Sequence, residues 1–385
     1  MSNTLTALAP YLFSAAKEVA NEPSGAIGSI NMNFDNKGVA KGDSVIVPVA
    51  PVAAEGDYTP AMTTTAGTDK TAASIEVSID YSKSTSWNLT GEEMRSLENA
   101  TSDKEWVRQL IAQGMRTLRN AAEVRLCDAI YQGASRATGT AGTTPFASSL
   151  DEIADIQKIL IDNGAPFADP YLIIDSSAFN QAMKNSVVQS ASHAGSDQER
   201  RQGILYKQFG FNVKVSSGIQ LHTKGTATGM DCTAIEPIAE TTIAVDGSDS
   251  GTILAGDIIT RGNEGGSSVD GNKYVVHSAT ASGAASGNIV VGSPGLRVAT
   301  TVADEWTIGN NYTPNIAFER NAIVGVMRPP LIPASPLINQ MQISDDRGLT
   351  YLLCEIVGDG MKTWRLHLCY GFKVINSEFI AILMG

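Results

Sequence analysis

The sequence predicts an α+β protein in which an extended β-hairpin precedes one very long helix and a small β-barrel is inserted into the middle of the chain. Three observations carry this prediction. Apolar residues recur at three- and four-residue spacing for about thirty residues after Ser102. Alternating strands precede that helix and close the chain. Between them, residues 222–313 turn glycine-rich and acidic. At 385 residues the chain is long for a single core, so two or three compact units are expected.

Taken in order, Ala7–Ala20 fits a short amphipathic helix, with Leu8, Tyr11, Leu12, Ala15 and Val19 on one side. Pro23 and several glycines follow it, so residues 1–42 read as a terminal arm. The β-rich run Asp43–Val52 (DSVIVPVAPV) leads into about twenty small and acidic residues. A second strand then alternates Ile75, Val77, Ile79 and Tyr81 with Ser74, Glu76, Ser78 and Asp80. An isolated two-stranded hairpin is marginal in water, and loops longer than about 12–15 residues are usually functional. This ribbon is therefore expected to be completed by a neighbouring copy.

The helix after the ribbon opens on Ser102 and Glu105, which match a capping box, and Gly133 offers a stop. Its stripe runs through Val107, Leu110, Ile111, Met115, Leu118, Ala122, Leu126 and Ile130, and its length is about 45 Å at 1.5 Å per residue. A second box, Ser149 with Glu152, opens a shorter helix that stops at Gly164 and Pro166. The strand PYLIID, a helix near Ser177–Lys184, a polar loop from Ser186 to Gln202 and strand-like sequence over Gly203–Val215 complete a mixed unit.

Residues 222–313 hold 14 of the 36 glycines, with ten acidic residues against four basic ones. Short β-rich segments at Thr241–Val245, Thr252–Leu254, Asp257–Thr260, Lys273–His277 and Asn288–Val291 alternate with Gly, Ser and Asp turns, the pattern of a small barrel or sandwich. In the closing strand, Trp364, Leu366, Leu368, Tyr370, Phe372 and Val374 point one way and Arg365, His367 and Lys373 the other. Gly358-Asp359-Gly360 turns it back onto Thr350–Val357.

Composition excludes several classes. No run approaches the roughly 20 apolar residues of a membrane span. The first ten residues, MSNTLTALAP, have no charged n-region, so no secretory signal is expected. Net charge is -12, against the clustered Lys and Arg that grip phosphates. Cys127, Cys232, Cys354 and Cys369 form no CxxC pair and read as reduced structural thiols.

No motif for chemistry stands out. The cluster Gly262–Gly266 lacks the strand-then-helix setting of a phosphate loop. His193, His222, His277 and His367 have no close partner in sequence. Asp246–Asp249 and Asp270–Asn272 lack the spaced carboxylates and terminal glutamate of a calcium loop. Asp231, Asp246, Asp249 and Asp270 are expected mostly on exposed surface or turns. No catalytic, cofactor-binding or metal-binding residue is assigned, and the chain is not read as an enzyme.

Five stretches, taken in order, resemble the HK97-like major capsid proteins of tailed bacteriophages. They are DSVIVPVAPVAAEGDYTP; SIEVSIDYSKSTSWNLTGEEMRSLENA; YLIIDSSAFNQAMKN leading to LYKQFGFNVKVSS; LAGDIITRGNEGG with YVV; and AFERNAIVGVMRPP with RLHLCYGFKVINSEFIAIL. The branch most similar carries a β-barrel insertion domain, as in the coat protein of the short-tailed Salmonella phage. The resemblance implies an N-terminal arm (1–42), an extended loop (43–90), a peripheral domain with the spine helix (91–148) and an axial domain (149–221). It further implies a barrel insertion (222–313), a return to the axial domain (314–348) and C-terminal peripheral strands (349–385).

It also implies self-assembly into pentamers and hexamers of an icosahedral shell around double-stranded DNA, without sequence-specific binding and without a membrane. Scaffolding protein and portal are implied partners, a decoration protein is a further candidate, and the virion, assembled in the bacterial host cytoplasm, is the implied location. Glu55, Asp57 and Tyr58 at the loop tip and Arg116 and Arg119 on the spine are the candidate contact residues between copies. Two other readings stand beside this one. A cargo-enclosing nanocompartment would share the fold, and a phage adhesion or decoration protein would explain the Gly/Ser-rich segment without needing ribbon and spine.

Overall fold

The apolar stripe after residue 102 forms one helix of 30 residues, α3 (Asp103–Gln132). The computed structural model describes residues 9–20, 25–32, 44–49, 73–99, 103–185, 207–246, 251–262, 270–280, 286–333, 335–345 and 347–385. Ile111, Met115, Leu118, Ala122, Leu126 and Ile130 are all buried, as the spacing predicts. The proposed cap Ser102 lies outside the described residues. The helix ends at Gln132, so Gly133 follows it as predicted, and a Cβ there would fall 2.7 Å from a methyl of Val374. Helix α1 (Ala9–Ala20) lies along α3 and buries Leu12, Ala15, Ala16 and Val19.

One face of α3 packs on a five-stranded sheet. Its strands are β15 (Ile323–Arg328), β16 (Ile338–Ser344), β17 (Thr350–Val357) and β18 (Met361–Val374), in the order β15-β18-β17-β16. Trp364, Leu366, Leu368 and Tyr370 of β18 are buried and Arg365 is exposed, in agreement with the alternation. The fifth strand, β3 (Tyr81–Thr90), pairs with β18 from Tyr81↔Tyr370 to Thr90↔Met361. Its sequence, YSKSTSWNLT, is mostly polar, so alternation did not predict it. It leads into α2 (Gly91–Asn99) through a reciprocal cap: the Thr90 N–H donates to Glu93 Oε2 at 2.8 Å and the Glu93 N–H to Thr90 Oγ1 at 3.3 Å.

The ribbon begins as an antiparallel pair, β1 (Ser44–Val49) with β2 (Ala73–Ser78). The alternation of residues 74–81 breaks at Ile79 and Asp80, where the chain turns across β18 into β3. It crosses at Gly371. A Cβ on Gly371 would sit 2.9 Å from the Ser78 carbonyl carbon and nearer still to its oxygen, so only glycine fits this backbone approach. The expectation that the ribbon lacks cover from its own chain is corrected for this base. Val47, Val77 and Ile79 are buried against Val324, Val326 and Cys369 of β15 and β18.

Among the described residues, a second sheet has twelve strands. Its first part runs β6 (Lys207–Gln208), β7 (Phe211–Val215), β5 (Pro170–Ile174), β14 (Pro314–Glu319), β19 (Ile380–Met384) and β4 (Arg136–Gly139). Helices α4 (Asp151–Asp162) and α5 (Ser176–Lys184) share a core with it that includes Ile156, Leu160, Leu172, Ile174 and Ala182. The capping box predicted at Ser149 is corrected. The residue preceding α4 is Leu150, with no side-chain cap, and Ser149 Oγ only accepts from the Asp151 N–H at 3.3 Å.

The sheet continues from β4 into residues 230–308: β11 (Lys273–Ala279), β10 (Ile258–Arg261), β13 (Glu305–Ile308) and β8 (Met230–Asp231), with β12 (Gly287–Val291) and β9 (Thr242–Val245) on the other side of β11. β9 closes on β8 through a Cys232↔Val245 bridge and the bonds Thr233 N–H to Ala244 O (3.0 Å) and Asp246 N–H to Asp231 O (2.9 Å). The result is a six-stranded barrel filled by Trp306, Tyr274, Ile243, Val276, Ile289 and Leu296. Predicted strand segments match four of these six strands; Thr252–Leu254 is irregular instead, and β8 and β13 carried too little apolar periodicity to be read.

Candidate functional site: surfaces for contact between copies

Among the described residues, no group of three or more His, Cys, Asp or Glu side chains is placed to hold a metal. All four cysteines are free and buried. Burial, followed by the charge of Glu123, pushes the Cys127 thiol well up, which leaves it a packing group. His277 donates to Ala134 O at 2.9 Å and is held below the usual histidine range by burial. His367 is half-buried on β18, and His193 lies outside the described residues. So do Asp249 and most of the Gly262–Gly266 cluster.

Asp231 and Asp246 are partly exposed, while Asp270 lies in a tight turn and is itself buried. It accepts from the Asn272 N–H (3.0 Å), the Asn272 side-chain amide (2.6 Å) and the Tyr274 hydroxyl (2.6 Å). Both carboxylate oxygens thus accept from the protein's own donors.

The groups that sequence reading missed are buried polar nodes that tie remote segments together. Glu123 sits on the buried stripe of α3 and accepts from the Ala26 N–H (2.8 Å), the Ile27 N–H (3.1 Å) and the Ser216 hydroxyl (2.6 Å). It thereby caps the short 3-10 turn Ile27–Ser29 and pins the N-terminal segment to the spine. Lys214 adds a bond to Ser29 Oγ at 2.9 Å; burial, with Arg347 and Arg320 nearby, holds its ammonium below the usual lysine range. The signal was present in the sequence, because Arg119 and Glu123 interrupt an apolar stripe.

Two arginines reach over the C-terminal end of α4. Arg297 donates to Asp162 O (2.6 Å) and Asn163 Oδ1 (2.7 Å), and Arg136 to Asn163 Oδ1 and Asn272 Oδ1 (both 2.9 Å). Cations at a helix C-terminus meet its free carbonyls and the negative end of its dipole. These bonds connect the barrel to the sheet on which it sits.

The surface features are fewer. The ribbon's covered face looks inward, while its opposite face carries Ile46, which is 62% exposed, beside Glu76. The pairing places Val49 opposite Ala73, so residues 50–72 lie beyond the described pair. Glu55, Asp57 and Tyr58 fall among them, outside the described residues.

On the spine, Arg116 and Arg119 part company. Arg119 is 1% exposed and turned into the chain's own interior. Arg116 is partly exposed and lies 3.9 Å from Glu18, which also pairs with Arg108. Trp106, Arg108, Leu110, Gln113, Arg116 and Glu18 line an open groove of about 410 Å³ between α1 and α3.

No protein-family model matches this chain, and no curated protein matches it. Solved structures do. A chain from Mycobacterium phage Che8 is similar at 13% identity over 94% of this chain and 92% of that one, with a TM-score of 0.52. The capsid structure of cyanophage P-SCSP1u aligns at 12% identity over 94% and 88%, with a TM-score of 0.49. A virus-like particle from Pyrococcus furiosus aligns at 9% identity over 97% and 98%, with a TM-score of 0.44. The Che8 likeness, which spans almost the whole of both chains, carries the fold. The protein is an α+β chain with the HK97-like capsid fold.

Proposed function

We propose that this chain is a major capsid protein, whose copies form pentamers and hexamers of an icosahedral shell around double-stranded DNA. The observation that carries the reading is the ribbon. Its base is docked on its own sheet through Val47, Val77 and Ile79, and residues 50–72 continue past that base. On this reading the extension reaches a neighbouring copy. Glu55 and Asp57 would meet exposed spine cations, with Arg116 the better placed of the two candidates because Arg119 is buried. An exposed ion pair contributes only about 0.2–1 kcal/mol, so most adhesion would come from apolar contacts repeated over many copies.

The net charge of -12 suits a wall that encloses DNA without gripping it. The closed six-stranded barrel supports placement in the branch with a barrel insertion, with domain limits at 42, 90, 148, 221, 313 and 348. Scaffolding protein and portal would serve assembly in the host cytoplasm, with a decoration protein as a further partner, and the finished protein would reside in the virion. Deletion of residues 53–72 tests the ribbon. The shell reading expects folded subunits that fail to close normal particles; normal closed shells from the deletion would refute the ribbon's role.

A further inference from the structure

The chain enters the barrel at His222 and leaves it at Tyr312, and the two residues pair backbone to backbone. The His222 N–H donates to Tyr312 O at 2.9 Å, and the Tyr312 N–H returns a bond to His222 O at 3.3 Å. The buried His222 imidazole uses its ring nitrogens on opposite sides of this crossing. Nε2 lies 2.9 Å from Asp257 Oδ1 in the barrel, and Nδ1 lies 3.3 Å from the hydroxyl of Tyr131 in the last turn of α3. Asp257 is fully buried and already accepts from the backbone N–H groups of Gly225 and Leu254. Both ring nitrogens therefore have a polar partner.

The packing is as specific as the bonds. The rings of Tyr131 and Tyr312 lie 5.5 and 5.2 Å from the imidazole. The Tyr312 hydroxyl donates to Gly256 O at 2.6 Å. Gly256 has a φ of 91°, and a Cβ there would fall 2.5 Å from the Tyr131 ring. The barrel has its own core, centred on Trp306 and Tyr274, which does not include His222. Elsewhere the barrel joins the body through the pairs Lys273↔Ala137 and Tyr274↔Arg136, through bonds of Arg136, Arg297 and His277, and through Ile258 and Val275, which lie in the body's core.

We propose that the His222 crossing is a latch, which holds the root of the barrel on the end of the spine helix and opens without unfolding the barrel. Tyr131–His222–Asp257 fixes this root, and breaking those bonds frees it while the barrel's own fold stays intact. The use of such an opening in shell assembly rests on the proposed function; the latch itself is a property of a single chain.

Hydrogen exchange on the full-length subunit tests it, with Tyr131→Phe removing one hydroxyl and His222→Gln removing the imidazole. The latch predicts about tenfold faster exchange at Gly225, Leu254 and Tyr312 in Tyr131→Phe, the loss of one buried bond, and more in His222→Gln. Strands β9, β12 and β17 keep their protection in Tyr131→Phe. Unchanged exchange at the root in Tyr131→Phe would overturn the latch. So would an equal loss in β9 and β12, because the imidazole would then hold up the barrel's fold instead of its root. A subunit that shows the selective loss yet never forms shells would leave the latch standing and remove the shell reading.

Discussion

Replacing Gly371 by alanine attacks the point where the ribbon crosses the sheet. The new Cβ would lie 2.9 Å from the Ser78 carbonyl carbon and 3.2 Å from Ile79 Cα. Restoring ordinary van der Waals contact with the Ser78 oxygen, the nearest atom, requires the end of β2 to withdraw by more than ~1 Å, and both partners are backbone with no rotamer to give way. Overpacking of this kind costs about 1–3 kcal/mol. Complete release of the ribbon base would expose Val77 and Ile79, each worth about 1.5–3 kcal/mol, so strained retention is the cheaper outcome.

A local cost of about 2 kcal/mol corresponds to exchange faster by a factor of about 30. Hydrogen exchange should show that acceleration in residues 44–49 and 73–80, with β17 and the α3 core unchanged. Gly262→Ala is the control, since the nearest atom to its Cβ is 3.9 Å away. If Gly371→Ala exchanges like the control, the ribbon base is not seated as described.

Other consequences follow from the buried nodes. Glu123→Gln keeps the shape but loses an acceptor oxygen and the charge that receive Ala26, Ile27 and Ser216; a cost of about 2–4 kcal/mol is expected, read as early protease cleavage or lost exchange protection in residues 25–32. Tyr274→Phe strands Asp270 Oδ2 and the Arg297 N–H and should lower barrel stability by about 1–3 kcal/mol in urea titrations. Asp128 is a half-buried carboxyl on α3 whose pKa burial raises, so the folded state holds its proton more tightly than the unfolded one and stability falls as pH rises through that window. Asp128→Asn should therefore be more stable than the parent at neutral pH, with the advantage vanishing below about pH 4. Glu93 runs the opposite way: the Thr90 N–H and hydroxyl hold it below the usual glutamate range. Its support of α2 is present above that range and lost as pH falls through the lowered value; Thr90→Ala removes the hydroxyl and keeps the N–H, so a carboxyl NMR titration should move only part of the way back to the ordinary midpoint.

Much of the architecture was legible because burial is periodic. The stripe from Ile111 to Ile130 and the alternation in Trp364–Tyr370 each report one buried face, and both appear in the structure as read. β3 was missed because much of it is exposed, including Ser82, Ser84, Ser86 and Asn88, and its pairing with β18 comes from backbone bonds that leave no apolar signature. The cap at Thr90 and Glu93 fits the same pattern as the failed one at Ser149 and Glu152; only the path of the chain decides between them. The buried nodes pair residues far apart in sequence, such as Ala26 with Glu123, and no local window contains both partners. The ribbon's own cover was invisible for a similar reason: Val77 meets Val324 and Val326, which lie some 250 positions further along.

The most direct test of the central claim is electron microscopy of particles from cells expressing the chain with its native gene neighbours. The capsid reading predicts closed icosahedral shells made of pentamers and hexamers, with DNA inside filled particles and the segment 50–72 of each copy resting on its neighbour. Folded chains that remain monomeric, or shells whose ribbons touch only their own subunit, would contradict it.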